Sequence, residues 1–115
     1  MPKPRIAITM GDPAGIGPEI CLDLLNDSEI SDLCSPIVFG DSSVLRSCAE
    51  KTNKSFDYIE ISENQIENTS KNGIFHLDLM NLDELNPGTA DANTGRATYG
   101  YVTSAIDACL RKEVD

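Results

Sequence analysis

The 115-residue chain has no tryptophan, three phenylalanines, three tyrosines and one histidine. With a single histidine, a zinc site built on several imidazoles is excluded for these residues alone. Basic residues are also few: nine Lys and Arg stand against nineteen Asp and Glu, a formal charge of -10. That balance excludes binding to nucleic acid or to anionic membranes by general electrostatics. No apolar run approaches the length that crosses a bilayer. The run near the start is too short for a signal-peptide core, so the expected location is the cytoplasm. The four cysteines, Cys21, Cys34, Cys48 and Cys109, form no C-x-x-C pair. They are expected as reduced, mostly packed thiols. There is no internal repeat and no low-complexity linker.

What is present is organised around Gly11-Asp12-Pro13-Ala14-Gly15-Ile16-Gly17-Pro18-Glu19. Arg5 to Met10 before it is apolar and β-branched, as a buried strand is. Ile20 to Asn26 after it reads as a helix, with Ile16, Ile20 and Leu24 on the face expected to pack on a sheet. Pro18 suits the first helical position, and Glu19 in the first turn favours the helix dipole. Gly15 is expected at the tightest part of the turn. The glycines read G-x-x-x-G-x-G, which is neither the dinucleotide fingerprint nor a P-loop. A phosphate at the helix start would gain from the dipole but be repelled by Asp12 and Glu19. A hydroxyl or the cationic ring of an oxidised nicotinamide suits the place better. The plain alternative is a tight turn whose glycines serve packing alone.

Further along, Asn26 to Ser35 is polar and turn-rich, and Pro36 to Gly40 is a second short strand. Asp41, Ser42 and Ser43 offer an N-cap to a helix from Val44 to Lys51, with Val44, Leu45 and Cys48 inward. Phe56 to Ile61 alternates as a half-exposed strand, Ser62 to Asn72 reads as a loop, and Gly73 to Leu79 as another strand. Leu82 to Thr94 is irregular, with a turn at Pro87-Gly88. Asn93 or Thr94 then caps a helix from Gly95 to Lys112, with Val102, Ala105, Ile106, Cys109 and Leu110 as its apolar stripe. Strands alternating with helices predict an α/β fold with a largely parallel sheet. Ligands of such sheets bind beyond the carboxyl ends of the strands, where the glycine turn lies.

The stretch Thr9 to Ile20 resembles the opening of the 4-hydroxythreonine-4-phosphate dehydrogenase family of pyridoxal phosphate biosynthesis. Val38-Phe39-Gly40-Asp41 is similar to that family's second strand and turn, and Pro87-Gly88 with Asn93 to Ala97 to a later segment. The resemblance runs the length of the chain and covers only the N-terminal portion of the longer family pattern. It implies a three-layer α/β/α architecture like that of isocitrate and isopropylmalate dehydrogenases, here incomplete. It implies that residues 1–115 are the N-terminal part of a dehydrogenase domain, without the catalytic and second-domain segments. The implied activity is oxidation of 4-phosphooxy-L-threonine with NAD or NADP, followed by decarboxylation, in a homodimer. A divalent metal (Zn, Mg or Co) is implied as a Lewis acid, held by three histidines outside this chain. Alternatives are a related enzyme acting on threonate or erythronate phosphate or a cyclic diol, or a non-catalytic α/β remnant or binding module.

The residues expected at the cofactor are Gly11, Asp12, Gly15 and Gly17. No catalytic residue and no metal ligand is expected within the chain. His76 reads as a structural strand residue, and Asp78, Asp83 and Glu84 as solvated loop carboxylates. Ser42 and Ser43 read as caps, not nucleophiles, and Arg96 as a surface arginine. Alone, the chain is expected to be inactive, with a phosphorylated hydroxy acid as substrate of the complete enzyme and neither nucleic acid nor membrane as partner.

Overall fold

The computed structural model describes residues 3–62, 65–66 and 72–115. Its strands are β1 (Arg5–Thr9), β2 (Ser35–Gly40), β3 (Ile59–Ile61) and β4 (Gly73–His76). All pair in parallel, in the order β1-β2-β4-β3. The helices are α1 (Gly17–Leu25), α2 (Ser28–Leu33), α3 (Ser42–Thr52) and α4 (Ala92–Leu110). Much of the expected loop Ser62 to Asn72 lies outside the described residues. Among the described residues no helix is long and apolar enough to cross a membrane.

The run Ile37-Val38-Phe39 is buried on both sides because β2 is central and helices cover both faces. Val38 joins Met10, Leu22, Leu25, Leu45, Ile74 and Tyr101 on one face. Ile37 and Phe39 join Ile61, Ile66, Ala105 and Val114 on the other. Phe39 and Phe75 stack with ring centroids 5.0 Å apart. The α/β fold with its largely parallel sheet is therefore the one the sequence predicts.

Several faces and caps differ from the expectation. In α1 the inward residues are Pro18, Cys21, Leu22 and Leu25, whereas Ile16 and Ile20 are 74% and 54% exposed. The rotation is set at the helix start, where a Cβ on Gly17 would stand 2.1 Å from the Met10 carbonyl oxygen. The polar stretch before β2 contains α2, whose start is capped by Asp27 through Glu29 N–H at 2.9 Å. It buries no side chain, so no hydrophobic period announces it. The cap of α4 is Asp91, which forms a capping box with Thr94, instead of Asn93 or Thr94. Its inward face is Ala97, Tyr101, Ala105 and Ala108, while Val102, Ile106, Cys109 and Leu110 are exposed. Small alanines let the helix approach the sheet closely, and that outweighs burying the larger side chains.

All four cysteines are free thiols. Cys21 is buried, and burial pushes its thiol up to about 11, whereas Cys109 is exposed. A thiol reagent at pH 8 is expected to modify Cys109 first and Cys21 last, because only the thiolate reacts. After denaturation the count should be four, and preferential labelling of Cys21 in the folded protein would contradict this packing.

Candidate functional site

The glycine turn lies at the carboxyl end of β1. Gly11 has φ +77°, a left-handed conformation that glycine adopts without strain. Asp12 Oδ1 accepts from Ala14 N–H at 2.8 Å, and Gly15 N–H donates to the Asp12 carbonyl at 2.9 Å. Gly15 itself is exposed, and a Cβ there would meet Asp12 O at an ordinary 3.4 Å. The constrained positions of the turn are thus Gly11, by its backbone angle, and Gly17, by its contact with Met10, not Gly15. Glu19 lies 3.8 Å from Lys54 Nζ, an amine that also bonds Asp23. That ammonium partly offsets the Glu19 charge, so Asp12 supplies most of the repulsion a phosphate would meet here.

Residues distant in sequence close over this turn. Gly88 N–H donates to the Ala14 carbonyl at 2.7 Å. The buried Thr94 places its hydroxyl 3.5 Å from Asp12 Oδ2. The first and last of the stretches that carry the family resemblance are therefore neighbours, joined between the end of β1 and the start of α4.

Beside them sits a carboxylate that sequence reasoning placed as a cap. Asp41 follows β2 and is fully buried. Its side chain makes no cap bond. Instead Oδ1 accepts from Leu79 N–H at 3.1 Å and Met80 N–H at 3.4 Å. Oδ2 accepts from the Tyr101 hydroxyl of α4. A buried charge requires partners of this kind. Burial, the bond to Asp41, and the charges of Asp41 and Asp12 together raise the Tyr101 phenol far above its ordinary range. Ser42 Oγ, expected as a cap, is buried without a hydrogen-bond partner among the described residues.

The expectation that metal ligands lie only outside this chain is corrected here. Asp41, His76 and Asp78 bring potential ligand atoms within 4.8 Å of one another. Parallel pairing explains it: Gly40 registers with His76, so residues just past the two strand ends converge. The sequence signal was His76-x-Asp78 at one strand end and Gly40-Asp41 at the other. His76 is thus more than a strand residue. Its Nδ1 accepts from Ser42 N–H at 3.0 Å, which in neutral imidazole leaves the proton on Nε2. A metal bound at either nitrogen displaces that hydrogen bond, and Asp41 already accepts three. Asp78, Asp83 and Glu84 line an open groove beside the group. Arg96 is exposed and bonds Asn93 Oδ1 at 3.1 Å.

The profile of the family described as "Pyridoxal phosphate biosynthetic protein PdxA" matches residues 32–115. The chain belongs to this family. It is 36% identical over 115 residues to a provisionally named D-threonate 4-phosphate dehydrogenase of Halalkalibacterium halodurans, covering 98% of this chain and 34% of that one. A 4-hydroxythreonine-4-phosphate dehydrogenase of Trichlorobacter lovleyi is 35% identical over 116 residues, with coverage of 98% and 34%. Among solved structures, the 4-hydroxythreonine-4-phosphate dehydrogenase of Burkholderia phymatum superposes with a TM-score of 0.87 at 29% identity, over 98% of this chain and 34% of that chain. The chain thus spans about a third of the length of the curated relatives it matches.

Tyr101→Phe leaves Asp41 Oδ2 unpaired in the core and is expected to cost about 2 kcal/mol in urea unfolding. The alkaline limb carries a second signature. Folding raises the Tyr101 pKa, so above about pH 10 the unfolded chain releases a proton that the fold retains, and stability falls. The contribution is complete below about pH 10, and its loss runs at about 1.4 kcal/mol per pH unit. Tyr101→Phe should remove that part of the slope. An unchanged slope would show that Tyr101 ionises in the fold as it does in the unfolded chain.

Proposed function

We propose that this chain is the N-terminal part of the α/β domain of an NAD- or NADP-dependent dehydrogenase acting on a phosphorylated four-carbon hydroxy acid. The observation that supports it most is the meeting of the Gly11–Gly17 turn with Gly88 and Thr94 at the carboxyl end of a parallel strand. The relatives' names offer 4-hydroxythreonine 4-phosphate and D-threonate 4-phosphate as substrates. Both carry a secondary alcohol and a phosphate, and that shared chemistry is what we assign. The pathway reading is pyridoxal phosphate biosynthesis, with a homodimer as the working form.

The reaction removes a hydride from the alcohol carbon and a proton from its oxygen, giving a ketone. When bound, an oxidised nicotinamide would supply the acceptor for that hydride. The ketone of a β-keto acid then lets the carboxylate leave as carbon dioxide. This chain contributes position and field. Gly11, Asp12, Gly15 and Gly17 border the nicotinamide. Gly11 lets the backbone bend where a side chain would strain it, and Gly17 lets α1 start against Met10. The Asp12 carboxylate, held by Ala14 and beside Thr94, favours the cationic oxidised ring over the neutral reduced one. No step is assigned to a metal at Asp41, His76 and Asp78, because His76 Nδ1 and both carboxylate oxygens of Asp41 are already engaged.

The test is the equivalent of Asp12→Asn in the full-length Trichlorobacter lovleyi relative. Asparagine keeps the shape and the Ala14 bond while removing the charge. Oxidised cofactor should bind more weakly by about 1 kcal/mol, and reduced cofactor should change less. Equal changes for both forms, or tighter binding of both, would remove the nicotinamide from this turn.

The 115-residue chain itself is expected to reduce no NAD or NADP with either phosphorylated substrate. Turnover that scales with protein and survives further purification would refute that.

A further inference from the structure

The segments that leave the carboxyl ends of β1, β2 and β4 are residues 10–18, 41–44 and 77–97. They carry Asp12, Asp41, Asp78, Asp83, Glu84 and Asp91, and a single basic residue, Arg96. An anionic ligand approaching this edge therefore has one cation to meet among these segments. Arg96 is exposed and forms no ion pair among the described residues. Its bond to Asn93 Oδ1 at 3.1 Å leaves the rest of the planar donor fork unengaged. The same bond points the Asn93 oxygen at Arg96 and leaves the amide NH2 as a second donor. Both side chains line a groove of about 340 Å³ with Leu79, Met80, Glu84 and Ala97. The walls of the groove are held. Leu79 and Met80 donate their N–H groups to Asp41, and Leu79 packs on Gly100 so closely that a Cβ has no room there. Met80 and Ala97 are buried. The first turn of α4 carries no acidic side chain, and the Asp91 cap is occupied by Thr94 N–H at 2.9 Å.

We propose that Arg96 and Asn93 bind a phosphate monoester in this groove, at the start of α4. The inference rests on the phosphorylated ligand of the proposed reaction, and not on the nicotinamide at Asp12. A guanidinium meets a phosphate through two parallel N–H···O bonds, a geometry that an ammonium lacks. A carboxylate has two oxygens, which that fork satisfies alone. A phosphate monoester has a third terminal oxygen, and the Asn93 amide serves it. The positive end of the α4 dipole adds to the attraction. Glu84 is the one acid in the groove and weakens the site. Two reactants carry such a group: the phosphorylated hydroxy acid, and NADP through its 2′-phosphate. NAD has only a pyrophosphate diester. Arg96 therefore either anchors the substrate or decides between the two cofactors.

The experiment is an NMR titration of the 115-residue chain with inorganic phosphate, against sodium chloride at matched ionic strength. Phosphate should shift the Arg96 Nε–H and Asn93 side-chain amide signals saturably, and chloride should not. Arg96→Gln should weaken binding about tenfold or more, and Arg96→Lys by less, because the charge survives and the fork does not. Glu84→Gln should tighten binding about twofold. All three side chains are exposed, so the variants should keep the cooperative thermal transition of the parent chain. Shifts that follow ionic strength alone, or an affinity that Arg96→Gln leaves unchanged, overturn the proposal. Displacement arms then identify the source. Displacement of phosphate by 4-hydroxythreonine 4-phosphate assigns the groove to the substrate, and displacement by NADP but not NAD assigns it to the cofactor. Phosphate that neither compound displaces overturns the proposal. The Asp12 test compares oxidised with reduced cofactor and is indifferent to this result, so the two readings fail separately.

Discussion

The buried Asp41 carboxylate is the constraint on which the described fold depends. It sits where β2 hands over to α3, and it accepts from Leu79, Met80 and Tyr101. Three segments far apart in sequence are thereby held to one point. An ionised group in an apolar interior is tolerated only when such donors replace its water. Once they do, the path after β4 and the rotation of α4 have little freedom. Met80 and Tyr101 then pack into the same cluster as Val38 and Leu45.

That arrangement also accounts for the proximity of the glycine turn and the start of α4. Tyr101 fixes α4 along its length, and the capping box of Asp91 and Thr94 fixes its start. Thr94 then faces Asp12, and Gly88 reaches Ala14. The glycine turn thus depends on a helix that begins about eighty residues later in the chain. It is built from two ends of one scaffold, as sites at the carboxyl edge of parallel sheets are. The same edge gathers Asp41, His76 and Asp78 by register alone. Their ligand-like spacing coexists with a hydrogen-bond pattern in which His76 Nδ1 is an acceptor. Ligand spacing and ligand availability are separate properties, and the lone pairs decide the second.

The short reach of sequence patterns shows most clearly in the helices. The apolar positions of α1 and α4 each admit two overlapping faces. In α1, Ile16 and Ile20 compete with Leu22 and Leu25, and in α4, Ile106 and Leu110 compete with Ala105 and Ala108. Hydrophobicity alone favours the larger side chains. The observed choice follows close approach, at Gly17 against Met10 and at the alanines against the sheet. Large apolar residues remain outside as a result. The surface apolarity of this chain is thus a consequence of packing geometry that no periodicity reports.

By itself the sequence determined the α/β class, the parallel sheet, the position of the glycine turn and the family. These rest on local signals: β-branched runs such as Ile37-Val38, glycine and proline punctuation, and a motif readable over a dozen residues. Only the tertiary structure decided which helix faces turn inward, that Asp41 receives Tyr101 and does not cap α3, and that His76 joins two aspartates. Those outcomes depend on register between β2 and β4 and on donors supplied from distant segments. A carboxylate's role is set by which donors surround it, and a one-dimensional pattern carries no information about them.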